Sequence, residues 1–135
     1  MMLSDIRDYI AGLDMAEQCY MGKLDAKKDN SIGCYHLRRS GSSHIPLGGR
    51  SNATYDILPV SILIHGSRYA VETERMAHKL YQVLRDLENE TVNNQTIKFC
   101  RMLVPEPQDV GTDDNGIYEM VIEAEFYTKK EKEEE

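Results

Sequence analysis

The hydrophobic residues of this chain recur at helical spacing in two segments, residues 3–13 and residues 69–89. Ser4 and Ser67 stand at the two starts, where a serine hydroxyl is a favoured N-cap. The first stripe comprises Leu3, Ile6, Ile10 and Leu13, and the second comprises Val71, Met76, Ala77, Leu80, Val83, Leu84 and Leu87. We therefore predict two amphipathic helices, each with one apolar face turned toward a core.

Five other segments are typical of β-strands, with short apolar runs between polar or glycine-containing turns. They are residues 19–24, 31–37, 57–65, 96–104 and 117–128. In the fourth, Ile97, Phe99 and Leu103 are predicted to share one face. The stretch between the last two strands, residues 105–116, reads as a turn-rich connection, so we expect those two strands to be antiparallel.

The last strand alternates most strictly. Its even positions from Tyr118 to Phe126 are apolar, whereas Glu119, Glu123 and Glu125 occupy odd positions. We expect the even face to be buried. The three glutamates then line a face that meets water or another subunit.

The order of these elements predicts an α+β fold: a mostly antiparallel or mixed sheet, two helices packed on one of its faces, and one long basic loop. A length of 135 residues suits one domain. We predict a single domain over residues 1–129, followed by a disordered acidic tail over residues 130–135, "KEKEEE".

The formal net charge of −7 disfavours nonspecific DNA binding, which needs a basic face. The longest apolar run is too short to span a membrane, so no membrane association is expected. The first residues lack the basic lead of a secretory signal. Three widely spaced cysteines indicate reduced thiols rather than a disulfide framework.

One long segment, "RRSGSSHIPLGGRSNATYD" from Arg38 to Asp56, is basic although the chain is acidic. It is not a phosphate-binding P-loop, because its glycine spacing is wrong and a strand follows it instead of a helix. A nucleic-acid arm is disfavoured because no aromatic residue interleaves with its arginines before Tyr55. We predict a loop that contacts a partner through Arg38, Arg39, Ile45, Leu47 and Arg50.

No catalytic, cofactor-binding or metal-binding signature is present. Cys34 and His36 alternate on one predicted strand and raise the possibility of a zinc site or a Cys-His nucleophile pair, but no CxxC, HxxxH or HExxH pair accompanies them. The acidic run over residues 109–116 does not match a calcium loop, since Gly111 falls at the first ligand position. We predict no catalytic residue, metal or cofactor, with a small Cys/His hydrolase or nuclease as the alternative.

Four segments in this order resemble the minor capsid and tail-terminator family of long-tailed phages and prophages. They are "SDIRDYIAGL", "SIGCYHLRRSG", "YDILPVSILIHGSRYAVETERMAHKLYQVLRDL" and "VPEPQDVGTDDNGIYEMVIEAEFYTK". They are similar to the opening helix of that family, its short strand with a glycine-rich loop, its central strand–turn–helix, and its closing turn and strand. The resemblance covers about residues 4–129.

The resemblance implies a structural subunit of the virion rather than an enzyme, with no cofactor. Copies of such a subunit form a ring, typically hexameric, that caps the tail tube, ends tail elongation and joins the tail to the head. The implied partners are further copies of the chain, the tail-tube protein and the head-completion protein, while DNA passes through the ring without specific binding. The implied location is the tail–head junction, after assembly in the bacterial host cytoplasm. A head–tail connector adapter or a minor capsid protein of the same region is the alternative.

We further expect complementary polar surfaces to hold such a ring, because the glutamates of the last strand make its open face look charged.

Overall fold

A computed structural model describes residues 1–22, 29–37 and 55–129 of the chain. These residues form two helices and seven strands. In chain order they are α1 (Leu3–Gly12), β1 (Gln18–Met21), β2 (Ser31–His36), β3 (Tyr55–His65), α2 (Ala70–Arg85), β4 (Glu88–Val92), β5 (Gln95–Met102), β6 (Gln108–Thr112) and β7 (Tyr118–Lys129).

The strands form one mixed sheet in the order β1-β2-β3-β7-β5-β4, and β6 pairs with the first part of β7. All pairs are antiparallel except the β1–β2 pair, which is parallel. The longest ladder joins β3 and β7, from the pair Tyr55 and Lys129 to the pair His65 and Glu119. The predicted α+β class and mixed sheet are confirmed.

Both helices pack on the same face of this sheet, as predicted. The register aligns the alternate residues of β2, β3 and β7 on that face, and the apolar stripes of α1 and α2 cover them. The fully buried members include Ile6, Ile10, Ile32, Val60, Ile62, Ile64, Leu80, Leu84, Ile122 and Phe126. Each such aliphatic or aromatic side chain contributes about 1.5–3 kcal/mol when it leaves water, so this layer is the main source of stability.

The second helix is shorter than predicted. It ends at Arg85, and Leu87, which completes the apolar stripe, is buried just beyond it. The chain then forms β4, which turns back into β5 through Asn93 and Asn94, both with positive φ (51° and 63°). Asparagine is among the few residues that accept this backbone region readily, so these two positions suit the tight turn between β4 and β5.

Two strand predictions also required correction. The predicted turn-rich connection contains β6, whose five residues are all exposed and therefore show no buried face to a periodicity argument. In β5, a register shift between Ile97 and Phe99 separates two residues that were predicted to share a face. Ile97 is buried, whereas Phe99 is 46% exposed on the other side.

The two predicted caps were wrong as well. The N-cap residues are Met2 and Tyr69. Asp5 accepts a hydrogen bond from the Met2 N–H through its carboxylate at 2.8 Å. Ser67 lies two residues before the N-cap residue Tyr69, and its hydroxyl accepts from the Tyr69 N–H at 3.1 Å.

Candidate functional site

The face of the sheet opposite to the helices, which we call the outer face, carries apolar side chains that take no part in the described core. By register it receives the odd-numbered residues of β3 and β7 and their partners on β2 and β5. Its partly or largely exposed apolar members are Tyr35, Tyr55, Ile57, Pro59, Leu63, Phe99, Leu103, Val121 and Tyr127. Neither described helix packs on this face, so it is a candidate contact surface.

The three glutamates proposed as an interface lie together on the outer face. Glu123 is partly exposed, and Glu119 places its Oε2 3.1 Å from His65 Nδ1. Glu125 is only 5% exposed, and its carboxylate accepts from Arg101 Nη1 at 3.1 Å. The carboxylates of Glu119 and Glu125 are therefore both engaged within the chain, although Glu119 and Glu123 are more exposed than Glu125. The contact role of the three remains a prediction.

The five loop residues proposed as contacts, Arg38, Arg39, Ile45, Leu47 and Arg50, lie outside the described residues, as does the acidic tail over residues 130–135. The described residues that flank the loop are held at one end of the sheet. Leu37 donates its N–H to the carbonyl of Pro59 at 3.3 Å, and Tyr55 begins β3 opposite Lys129 at the end of β7.

Three aromatic rings form a row across the outer face near this end of the sheet. Tyr127 of β7 stacks on Phe99 with ring centroids 4.4 Å apart, and its other neighbour is Tyr55 at 5.5 Å. We call these three residues the aromatic patch. The aromatic patch is not predictable from the sequence pattern, because the bulge that turns Phe99 outward depends on pairing with β7 and has no local signal.

A second exposed group lies at the other end of β7, around a cleft of about 100 Å³. The cleft is lined by Ala70, Thr73, Glu74, Asp109, Tyr118, Glu119 and Met120, three of which carry carboxylates and none of which is basic. Tyr69, Val71 and Val110 adjoin these lining residues along the chain and are 69%, 60% and 53% exposed. We call these three residues the cleft patch.

His65 links three segments beneath this end of the sheet. Its side chain is fully buried, with Nδ1 facing Glu119 and Nε2 3.6 Å from Asp113 Oδ2. The other oxygen of Asp113 accepts from the N–H groups of Asn115 and Ile117 and so shapes the turn into β7. The arrangement connects the end of β3 to that turn.

The thiols are poorly suited to catalysis. Burial raises the pKa of Cys34 to about 12, and burial also raises the pKa of Cys100 to about 12. A thiol that stays protonated at neutral pH is a weak nucleophile, so the Cys34–His36 pairing lacks the activated sulfur that a hydrolase needs. Within residues 1–22, 29–37 and 55–129, no three His, Cys, Asp or Glu side chains are grouped so as to hold a metal ion. In the same ranges no helix is long and apolar enough to cross a membrane.

A comparison with protein families matches residues 2–130, nearly the whole chain, to a family described as bacteriophage tail terminator protein. The chain belongs to this family. No curated protein matches the chain. The resemblance inferred from the four sequence segments is confirmed, and the tail terminator family is one of structural virion components. For a tail terminator, exposed surfaces such as the two patches and the outer face matter more than a catalytic pocket.

Proposed function

We propose that this tail terminator caps the tail tube as a ring, ends tail elongation and joins the tail to the head. The match to the tail terminator family over residues 2–130 carries the proposal. The outer face supports it, because its apolar side chains are partly exposed and a contiguous apolar patch of this kind often marks an interaction surface.

In this proposal residues 1–129 act as one domain, without enzymatic activity or a cofactor. The partners are further copies in a ring, expected to be hexameric, together with the tail-tube protein and the head-completion protein. DNA passes through the ring without specific binding, and the protein resides at the tail–head junction of the virion. The net charge of −7 is consistent with a channel that DNA traverses and does not adhere to.

The basic loop supplies contacts in this proposal. Arg38, Arg39 and Arg50 carry positive charge on an otherwise acidic subunit, and Ile45 and Leu47 provide apolar anchors. Glu119 and Glu123 of a neighbouring subunit offer complementary charge.

The proposal is tested with tail tubes polymerised in vitro from the cognate tube protein. Adding the terminator to growing tubes is expected to stop elongation and leave a ring-shaped density at one tube end in negative-stain micrographs. Tubes that keep growing at saturating terminator would contradict the capping role. Labelling the protein in intact virions separates a terminator from an adapter, because the adapter would lie on the head side of the junction.

A further inference from the structure

Two exposed patches lie at opposite ends of β7. The aromatic patch adjoins the end of the strand at Tyr127, and the cleft patch adjoins its start at Tyr118. At the usual rise per residue of a strand these two positions are about 30 Å apart. Because of this distance, a neighbouring copy cannot cover both patches with the same part of its surface.

The charges beside the two patches differ, because those at the aromatic patch are mixed whereas those that line the cleft are all acidic. Arg101, with a 63% exposed side chain, and exposed Lys129 lie beside the aromatic patch. Arg101 is paired with Glu125, and exposed Glu88 of β4 stands opposite Phe99, so the positive charge offered to a neighbouring copy is that of Lys129 at the end of β7. Glu74 and Asp109 are exposed at the cleft.

The basic residues nearest the cleft patch along the chain are Arg68 and Arg75. Both are exposed, and neither lines the cleft. All the charged residues that line the cleft are therefore acidic.

A closed ring of identical subunits needs a heterologous contact, in which one surface of each copy meets a different surface of the next. Pairing the aromatic patch with itself would bring two Lys129 side chains together. Pairing the cleft patch with itself would bring Glu74 and Asp109 of one copy close to the same carboxylates of the other. Pairing the aromatic patch with the cleft patch matches opposite charges and joins two sets of exposed apolar side chains. Aromatic and arginine side chains are also enriched in protein interfaces.

We propose that the aromatic patch of one copy docks on the cleft patch of the next copy, with Lys129 facing Glu74 and Asp109. This inference rests on the proposed ring and names the two surfaces that form it. Phe99 and Tyr127 bury their exposed edges against Tyr69 and Val71 in this contact.

Each patch is tested with its own double variant, chosen so that the fold is preserved. Phe99→Thr with Lys129→Glu alters the aromatic patch, and threonine is well tolerated in strands. Tyr69→Ser with Glu74→Lys alters the cleft patch, and serine is a preferred residue at the N-cap position that Tyr69 occupies.

The matched control is Met21→Thr with Glu17→Lys, which also removes one exposed apolar side chain and reverses one charge, outside both patches. Circular dichroism establishes that each variant is folded. If a double variant does not fold, the corresponding single variant, Lys129→Glu or Glu74→Lys, is used in its place.

Mass photometry and light scattering then measure assembly. Wild type and the control are expected to form the ring, and each patch variant is expected to need at least about tenfold more protein, as for loss of an interface anchor. Mixing the two patch variants is the decisive measurement. Each retains one intact patch, so the mixture should form a dimer of twice the 15.5 kDa subunit mass and no ring.

The outcomes separate this inference from the function on which it rests. Patch variants that assemble like wild type, or a mixture without dimers, would overturn the patch assignment while the ring stands. A wild-type protein that neither forms a ring at high concentration nor caps tail tubes would overturn the proposed function and this inference together.

Discussion

Gly66 joins the end of β3 to the segment before α2 at a point where no side chain fits. A Cβ built at this position would lie 2.2 Å from Thr73 Oγ1. That hydroxyl accepts from the Ser67 N–H at 3.1 Å and donates to the Tyr69 carbonyl at 3.2 Å, so it is not free to move away. The close approach of the strand end to the first turn of α2 therefore depends on this glycine.

We expect Gly66→Ala to lower the free energy of unfolding by about 2 kcal/mol, because overpacking a closed site forces side chains or backbone to shift. Chemical denaturation followed by circular dichroism measures this change. Gly12→Ala is the matched control, since no atom lies within 4 Å of its added Cβ, and it should leave stability unchanged or slightly raised. Equal denaturation midpoints for Gly66→Ala and wild type would show that the segment has room the structure does not indicate.

The buried thiols give a prediction about pH. The folded pKa of about 12 for Cys34 lies above the ordinary value of 9.0, because burial disfavours the thiolate. The unfolded chain therefore releases this proton first, and the associated stability is complete below pH 9 and is lost as the pH rises from about 9 toward 12. Denaturation midpoints measured across this range should fall less steeply in Cys34→Ala than in wild type.

Alkylation provides an independent readout of the same burial. At pH 8, iodoacetamide should modify Cys34 and Cys100 only after unfolding, and peptide mass spectrometry locates the modified residues. Cys19 is only partly buried, and burial raises its pKa as well, so it should react more slowly than a free thiol and faster than the other two. Rapid modification of Cys34 in the folded protein would contradict the placement of this thiol in the core.

At the level of elements, α1 is tied to the β4–β5 hairpin by one buried carboxylate. Asp5 is 5% exposed and accepts from the Met2 N–H, from Asn93 Nδ2 at 2.9 Å and from Gln95 Nε2 at 3.4 Å. Asn93 also donates to Asp8 at 2.9 Å, and this hydrogen bond is the main cause of the lowered pKa of Asp8. The start of α1 is thus fixed by a side chain of the helix itself and by a distant turn.

We expect Asp5→Ala to lower the free energy of unfolding by about 2 kcal/mol, because it leaves several polar partners unsatisfied. Ser4→Ala is the control and should change stability by less than about 0.5 kcal/mol, since Met2, not Ser4, occupies the N-cap position. Thermal or chemical denaturation of both variants provides the comparison. A larger cost for Ser4→Ala than for Asp5→Ala would restore the serine cap that the sequence pattern predicts.

The hairpin after α2 offers a second test at this scale. Asn94 has a φ of 63°, which alanine adopts only at a cost of about 1–2 kcal/mol and glycine adopts freely. Asn94→Ala should therefore destabilise the protein by about 1 kcal/mol, and Asn94→Gly should be close to neutral. Equal stability of the two variants would indicate that the turn does not need this backbone conformation.

At the scale of the whole molecule, the surface is mixed rather than purely polar. The sequence of β7 predicted a charged open face and therefore a salt-sensitive ring. In the folded chain, β3 and β5 add apolar and aromatic side chains to that face, and Glu125 is already paired with Arg101. Contacts between copies are therefore expected to combine an aromatic part that salt does not screen with a charged part that it does.

Salt should accordingly weaken assembly without abolishing it. Between about 0.1 M and 1 M salt the screening length falls from about 10 Å to about 3 Å, so the Lys129→Glu defect should shrink in high salt. The Phe99→Thr defect should persist, because its cause is lost apolar contact. Light scattering at both salt concentrations measures the two defects. Complete dissociation of the wild-type ring in 1 M salt would show that polar contacts alone hold the copies together.

Much of the fold was predictable from local patterns. The two helices and five of the strands follow from the spacing of apolar residues, because each element must bury one face and the spacing records which one. The order of those elements, together with four segment resemblances, also predicted the tail terminator family that the comparison confirms. The net charge disfavoured nonspecific DNA binding, and the resemblance alone implied a structural subunit.

Features with no buried face, or with a partner far along the chain, were not predictable. β6 is exposed throughout, and β4 begins inside the last two positions of the predicted helix and has one partly buried residue, so neither carries a local strand signal. The outward turn of Phe99 depends on its register with Tyr127, and the engagement of Glu125 depends on Arg101, 24 positions earlier.

The sequence by itself thus determined which residues seek a core and the class of fold, since these depend on short-range order, and four of its segments carried the resemblance to the family. Only the tertiary structure decided which exposed residues become neighbours. The aromatic patch assembles residues from three strands, and the cleft patch joins the start of α2 to β6. The reason is physical: a one-residue change of strand register moves every later side chain to the opposite face, and long-range pairing sets that register.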